Sequence, residues 1–297
     1  FIGIKESAWA NTIFAIITIG GLALIIFLGI SFETTEPIDY FENPNGMTGI
    51  ILAFILIFFA FIGFEDMANI AEEVKRPQKT LPKAIILAVI ISGVIYILVS
   101  LSVVRVINWE ELGQSAAPLA AVAERSLGIQ GNIILSAIAL FATASTVLIT
   151  LVAGSRMLYG MANHKSVPLF LGKIHSKTKT PWIAVIVISI TSIVFAFSGD
   201  IVTVANITVF AVVITFAMIN LSVIVLRYTG SKLERPFRVP CNVGRFPVLP
   251  LVGLGVTVYM AIQFEMEIML VGLVIVSIGA LLYVIFNRKS TRVKDEV

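Results

Sequence analysis

Charge is what this chain has least of. Only 13% of its 297 residues are Asp, Glu, Lys or Arg, where a soluble domain carries about 25%. Hydrophobic residues make up 58%, and mean hydropathy is +1.00. That composition excludes a water-soluble globule and fits an integral membrane protein. Cys241 is the single cysteine, so no internal disulfide can form. The two histidines, His164 and His175, lie in a basic stretch without further ligands, so no metal site is expected. There is no HExxH, and no two spans carry paired carboxylates, as an intramembrane enzyme would need. The net charge of +3 is no nucleic-acid footprint, because the basic residues sit between apolar runs. Low-complexity sequence and internal repeats are also lacking.

What the chain does have is apolar length. Eight runs stand out: 10–30, 47–71, 84–104, 131–155, 182–199, 202–226, 247–264 and 268–287. Each is long enough to cross a hydrocarbon core as a helix of about 17–25 residues. Helices satisfy their own backbone, which lipid requires. Barrel strands are not expected, since they run about 9–11 residues and alternate in polarity. The expected fold class is therefore an all-α membrane protein with eight transmembrane helices. Every Lys and Arg except Arg105 and Arg125 falls at Lys5, in the 72–83, 156–181 and 227–246 loops, or in the tail. The 31–46 loop instead carries Glu33, Glu36, Asp39 and Glu42. By the positive-inside rule both ends of the chain lie on the cytoplasmic side. Pro77 and Pro82 bracket a link expected to interrupt the helix. The 116–128 segment has apolar residues at helical spacing, the pattern of a helix lying in the membrane interface. The sequons at Asn206 and Asn220 lie inside an apolar run and are not expected to be glycosylated.

Seven of the eight runs hold no charged residue; only 47–71 does. It contains Phe58-Phe59-Ala60-Phe61-Ile62-Gly63-Phe64-Glu65-Asp66. A carboxylate at the centre of a lipid-facing helix costs about 2.5–3.5 kcal/mol or more, and one kept there faces a cavity, an ion path or a substrate. Gly63 permits a break in the helix, although a glycine there also suits close helix packing. A helix broken at mid-membrane exposes carbonyls at the end of its first half and N–H groups at the start of its second. The carbonyls of Phe59, Ala60 and Ile62 would then accept hydrogen bonds from a substrate ammonium. Asp66 is read as the cap of the second half-helix, where the dipole favours an ionised carboxylate.

The sequence FFAFIGFEDMANIAEEVKRPQKTLPKAI, starting at Phe58, resembles the sixth-helix signature of amino-acid permeases in the amino acid–polyamine–organocation superfamily. SRMLYGMANHKSVP (155–168), KTPWIAV (179–185) and RPFRVP (235–240) are similar to that family's eighth-helix exit, ninth-helix start and loop before the eleventh helix. The resemblance implies helices 5–12 of a twelve-helix transporter built from two inverted five-helix repeats, with a broken sixth helix. Residues 1–46 would be helix 5 and an extracellular loop, 47–226 the second repeat (helices 6–10), and 227–297 helices 11–12 with a cytoplasmic tail. Helices 1–4, with the other half of the substrate site, are expected to precede the chain.

The implied activity is secondary active amino-acid transport in the plasma membrane by alternating access, as symporter or antiporter, without a cofactor. The substrate-binding set would be Phe59, Ala60, Ile62, Gly63, Phe64 and Glu65. Phe59 aligns with the family's aromatic lid, although lipid-facing phenylalanines are common in such a chain. Glu65 takes the place of an acid that senses the proton or the substrate side chain. Ser145 and Thr146 resemble the hydroxyl pair of sodium-coupled relatives, or else bond back to their own helix. The coupling ion would be Na+ or H+; Thr18 stands where some proton-coupled relatives have lysine, which weakens the proton mechanism and favours sodium coupling or exchange without an ion. Glu72 and Glu73 match the cytoplasmic gate of the family pattern, or else a solvated loop. An exchanger of polyamines or other organic cations is the alternative. A channel is less favoured, because channels line a pore with several polar rings.

Overall fold

A computed structural model of the chain describes residues 4–33, 38–69, 71, 74–198, 201–230, 235 and 237–294. The described residues are almost entirely helical: α1 Ile4–Ser31, α2 Gly46–Phe61, α3 Asp66–Asn69, α4 Pro77–Val106, α5 Trp109–Gln114 and α6 Pro118–Leu127. Then come α7 Ile129–Asn163, α8 Trp182–Ser198, α9 Ile201–Thr229, α10 Val248–Ala261 and α11 Met266–Lys294. A two-stranded hairpin, β1 Asn242–Val243 and β2 Phe246–Pro247, precedes α10 and turns at Gly244 with φ +61°.

Each expected apolar run falls on a helix, with 47–71 divided between α2 and α3. Among the described residues six helices are long and apolar enough to cross a membrane: Ser7–Ser31, Gly46–Asn69, Pro77–Val106, Ile129–Asn163, Val202–Thr229 and Met266–Ile285. The apolar segments Trp182–Phe197 and Val248–Ala261 are shorter. The 14 residues of α10 rise only about 21 Å at 1.5 Å each, less than a hydrocarbon core of about 30 Å. The 35 residues of α7 rise about 52 Å and must project beyond such a core.

Two expectations need correction. Pro77 and Pro82 do not bracket a break, because α4 starts at Pro77 and runs through Pro82. Proline is well placed in the first turn, where an amide donor has no intrahelical partner. Pro82 lies just past that turn, so its missing N–H removes a single rung. The 116–128 segment is helical, but α6 does not offer its apolar face to lipid. Val122 and Ala123 are fully buried, in one cluster with Ile25 and Leu28 of α1, Val103 and Val106 of α4 and Leu135 of α7.

A second cluster forms around the later helices. Ile55 of α2, Val209, Phe210 and Val213 of α9, Met260 of α10, and Phe264 and Ile268 beside and on α11 are all buried. Phe58 and Ile62 pack against it, so this cluster carries the end of α2. Arg235 donates to the carbonyls of Leu226 (2.9 Å) and Gly230 (2.7 Å), giving the carboxyl end of α9 a cation where the helix dipole favours one.

Small residues let the helices approach closely. A Cβ added at Gly29 would strike the backbone and Cβ of Ser102, and one at Gly272 would strike the Phe210 ring. Gly29 faces backbone rather than a side chain that could turn away. Gly29→Ala is therefore expected to push α1 from α4 and destabilise the protein by about 1–3 kcal/mol. Thermal denaturation in detergent checks this; a melting temperature equal to wild type would refute the close seam.

Candidate functional site at the break between α2 and α3

α2 is apolar from Gly46 and ends at Phe61 for a local reason. Ile62 leaves the helix with φ −60° and ψ 138°. Gly63 follows with φ +121°, a conformation that side chains with a Cβ resist. Residues 62–65 form turns before α3 resumes at Asp66. A Cβ at Gly63 would meet nothing within 4 Å. Glycine is required here by backbone conformation and not by crowding.

The break redirects the backbone hydrogen bonds. The Ile62 N–H donates to the Phe59 carbonyl at 3.2 Å. The Gly63 N–H donates to Oε2 of Glu65 at 2.9 Å. The Asp66 N–H donates to the Gly63 carbonyl at 3.2 Å, and the Ala68 N–H to that of Glu65 at 2.9 Å. The Ala60 carbonyl would have been reached by Phe64 in an unbroken helix; it accepts from the Tyr96 hydroxyl of α4 at 2.9 Å. Phe61 stacks edge-on to the Tyr96 ring, centroids 5.1 Å apart at 71°. Phe64 and Phe58 both lie against Phe216 of α9, at 5.6 and 6.1 Å.

Ile62, Gly63, Phe64 and Glu65 thus form the unwound turn, and Phe59 and Ala60 lie in the last turn of α2 beside it. Phe59 is exposed. The carboxylate that satisfies a backbone amide at the break is Glu65, not Asp66. Asp66 stands in the first turn of α3 and accepts from the side-chain amide of Asn69 at 3.3 Å. Glu72 and Glu73 lie outside the described residues.

The three hydroxyls are less concentrated. Ser145 of α7 donates to Oδ1 of Asn11 on α1 at 2.6 Å. Thr146 bonds back to the Ala142 carbonyl at 3.1 Å, and Thr18 to that of Phe14 at 2.9 Å. Thr18 stands seven residues beyond Asn11 on α1, about 10 Å of helix rise. Among the described residues no hydrogen bond joins it to Ser145 or Thr146.

Tyr96 and Asn11 are polar groups that sequence reasoning passed over. Each carried a signal, since a hydrogen-bonding side chain inside an apolar run needs a partner. A separate cavity of about 980 Å³ opens among Glu33, Asp39, Glu42, Arg105, Trp109 and Arg125. The Arg105 Nε is buried there without a hydrogen-bond partner among the described residues.

A family model described as amino acid permease matches residues 1–293. The chain belongs to the amino acid permease family. The chain is 29% identical over 290 residues to the methylthioribose transporter of Bacillus subtilis (strain 168), covering 97% of this chain and 61% of that protein. It is 28% identical over 299 residues to the branched-chain amino acid permease BcaP of the same organism, covering 99% and 62%. It is 30% identical over 234 residues to the vacuolar cationic amino acid transporter 2 of Arabidopsis thaliana, covering 76% and 36%. The chain thus spans about three fifths of the length of its Bacillus relatives. Its family is one of transporters, not enzymes.

Gly63→Ala isolates the cost of the break. It is expected to destabilise the protein by about 1–3 kcal/mol through backbone strain. Gly160→Ala, in the last turn of α7 with equally open surroundings, is expected to be neutral or to stabilise by up to about 1 kcal/mol. Thermal melts of both in detergent check the contrast.

Proposed function

We propose that this chain forms helices 5–12 of a secondary active amino-acid transporter, with substrate held at the unwound turn between α2 and α3. The observation that carries the reading is the Gly63 break with its rerouted carbonyls. A carbonyl has two lone pairs, so those of Phe59 and Ala60 retain acceptor capacity. Among the described residues the Ile62 carbonyl accepts no hydrogen bond. Three acceptors on one turn, with the Glu65 carboxylate beside them, suit an ammonium group. Phe59 stands next to them as an aromatic face that closes over the substrate and holds a cation at about 0.5–2 kcal/mol.

The full protein would work by alternating access around this site. Eight membrane-crossing helices, with 47–226 as the second repeat of a 5+5 fold and both ends cytoplasmic in the plasma membrane, agree with the distribution of Lys and Arg. Helices 1–4 would complete the site, and coverage of about three fifths of the Bacillus relatives accords with that. Glu72 and Glu73 would form the cytoplasmic gate. Ser145 and Thr146, on a helix packed against α3, are proposed as ligands of a coupling Na+. Thr18 in place of a lysine favours that ion over H+. The Ser145 proton would turn from Asn11 when the cation binds.

The chain also resembles a methylthioribose transporter over nearly its whole length. That favours a second reading, in which the solute is another small organic molecule. A thermal-shift panel of the twenty amino acids, common polyamines and methylthioribose on the full-length protein, with and without sodium, separates the two. A ligand at about 100 times its Kd should add roughly 2.7 kcal/mol. The expected result is stabilisation by one amino-acid class, reduced at least tenfold in affinity by Glu65→Gln. Stabilisation by methylthioribose alone would establish the second reading. Equal affinities in sodium and choline buffers would refute the ion site.

A further inference from the structure

We infer that Tyr96 of α4 is a positioning residue for the substrate-binding turn, aiming the Ala60 carbonyl at the substrate ammonium. The inference rests on the reading of that turn as the substrate site. The Ala60 carbonyl lost its helical partner when the chain broke at Gly63, and it projects from the last turn of α2 with no donor from α2 to hold it. The Tyr96 hydroxyl donates to it at 2.9 Å. One lone pair is thereby held by α4 and the other is left for an incoming N–H. Both groups gain, because a hydroxyl or carbonyl without a partner at this depth is costly.

The hydroxyl is in turn held in place by packing. The Tyr96 ring lies edge-on to Phe61, the last helical residue before the break. Phe61 has room for this because Gly93, one turn back on α4, presents no side chain. A Cβ built at Gly93 would touch the tip of the Phe61 ring at 3.7 Å. Gly93, Phe61 and Tyr96 therefore form a socket that ties the final turn of α2 to α4. The Phe59 carbonyl needs no such help, since the Ile62 amide already orients it. Ala60 is the acceptor at the break whose donor comes from another helix.

The test is saturable uptake of radiolabelled leucine and arginine by the full-length protein in proteoliposomes, with rates normalised to the amount of folded transporter. Tyr96→Phe keeps the ring and its contact with Phe61 and removes only the oxygen. KM for the transported amino acid should rise about tenfold, as for one net hydrogen bond, with Vmax within about twofold. Loss of binding common to ground and transition states has that signature. A purely structural role would instead lower the folded fraction and leave KM unchanged. Gly93→Leu, which displaces the Phe61 ring, should raise KM similarly with the hydroxyl still present, and Gly93→Ala should not.

Unchanged KM in Tyr96→Phe, while Glu65→Gln raises it, would overturn the positioning role and leave the substrate site standing. Unchanged KM in all these variants, Glu65→Gln included, would overturn the site itself.

Discussion

The broken helix depends on one constraint: a backbone amide or carbonyl inside a membrane must find a partner within the protein. An ordinary helix meets this rung by rung. At Gly63 the ladder stops, and three of the freed groups are met in three different ways. The Gly63 amide turns to the Glu65 carboxylate. The Phe59 carbonyl is met by a tightened turn from Ile62. The Ala60 carbonyl is met by a tyrosine from another helix. Glycine makes the turn sterically accessible, and these three bonds make it stable. A break met wholly by its own strand could not respond to its surroundings. One met partly by α4 is coupled to whatever α4 does.

Much of the fold was legible because lipid imposes simple rules. Long apolar runs have to become helices, and each of the eight runs did. Gly63 and Glu65 stood out for the same reason, as a helix breaker and a charge where neither is cheap. The misreadings came where local rules competed with tertiary ones. Pro82 reads as a stop, yet one missing rung near the start of a 30-residue helix is outweighed by the turns that follow. The 116–128 pattern is amphipathic, and amphipathicity does not say whether lipid or protein covers the apolar face. Here α1, α4 and α7 cover it.

Pairings between distant residues were out of reach for the same reason. Nothing near Tyr96 in sequence indicates that its oxygen meets Ala60, 36 positions away. Nothing near Asn11 indicates Ser145, 134 positions away. The assignment of roles to the adjacent acids also turned on geometry. Charge and dipole favour Asp66 and Glu65 about equally as partners of a freed amide. The longer side chain of Glu65 reaches back over the turn to Gly63, and Asp66 engages Asn69 instead.

The bond between Asn11 and Ser145 has a consequence beyond its own strength. Around it the seam of α1 and α7 is hydrocarbon: Phe14 against Phe141, and Gly21 beneath Ile138. Such a surface is nearly indifferent to sliding, because a shift of one turn exchanges one set of apolar contacts for another. The amide–hydroxyl pair is not indifferent. Displaced by a turn, about 5.4 Å, it would leave two polar groups facing hydrocarbon. It therefore acts as a key between two smooth surfaces, selecting one alignment of the helices from several that packing alone would allow.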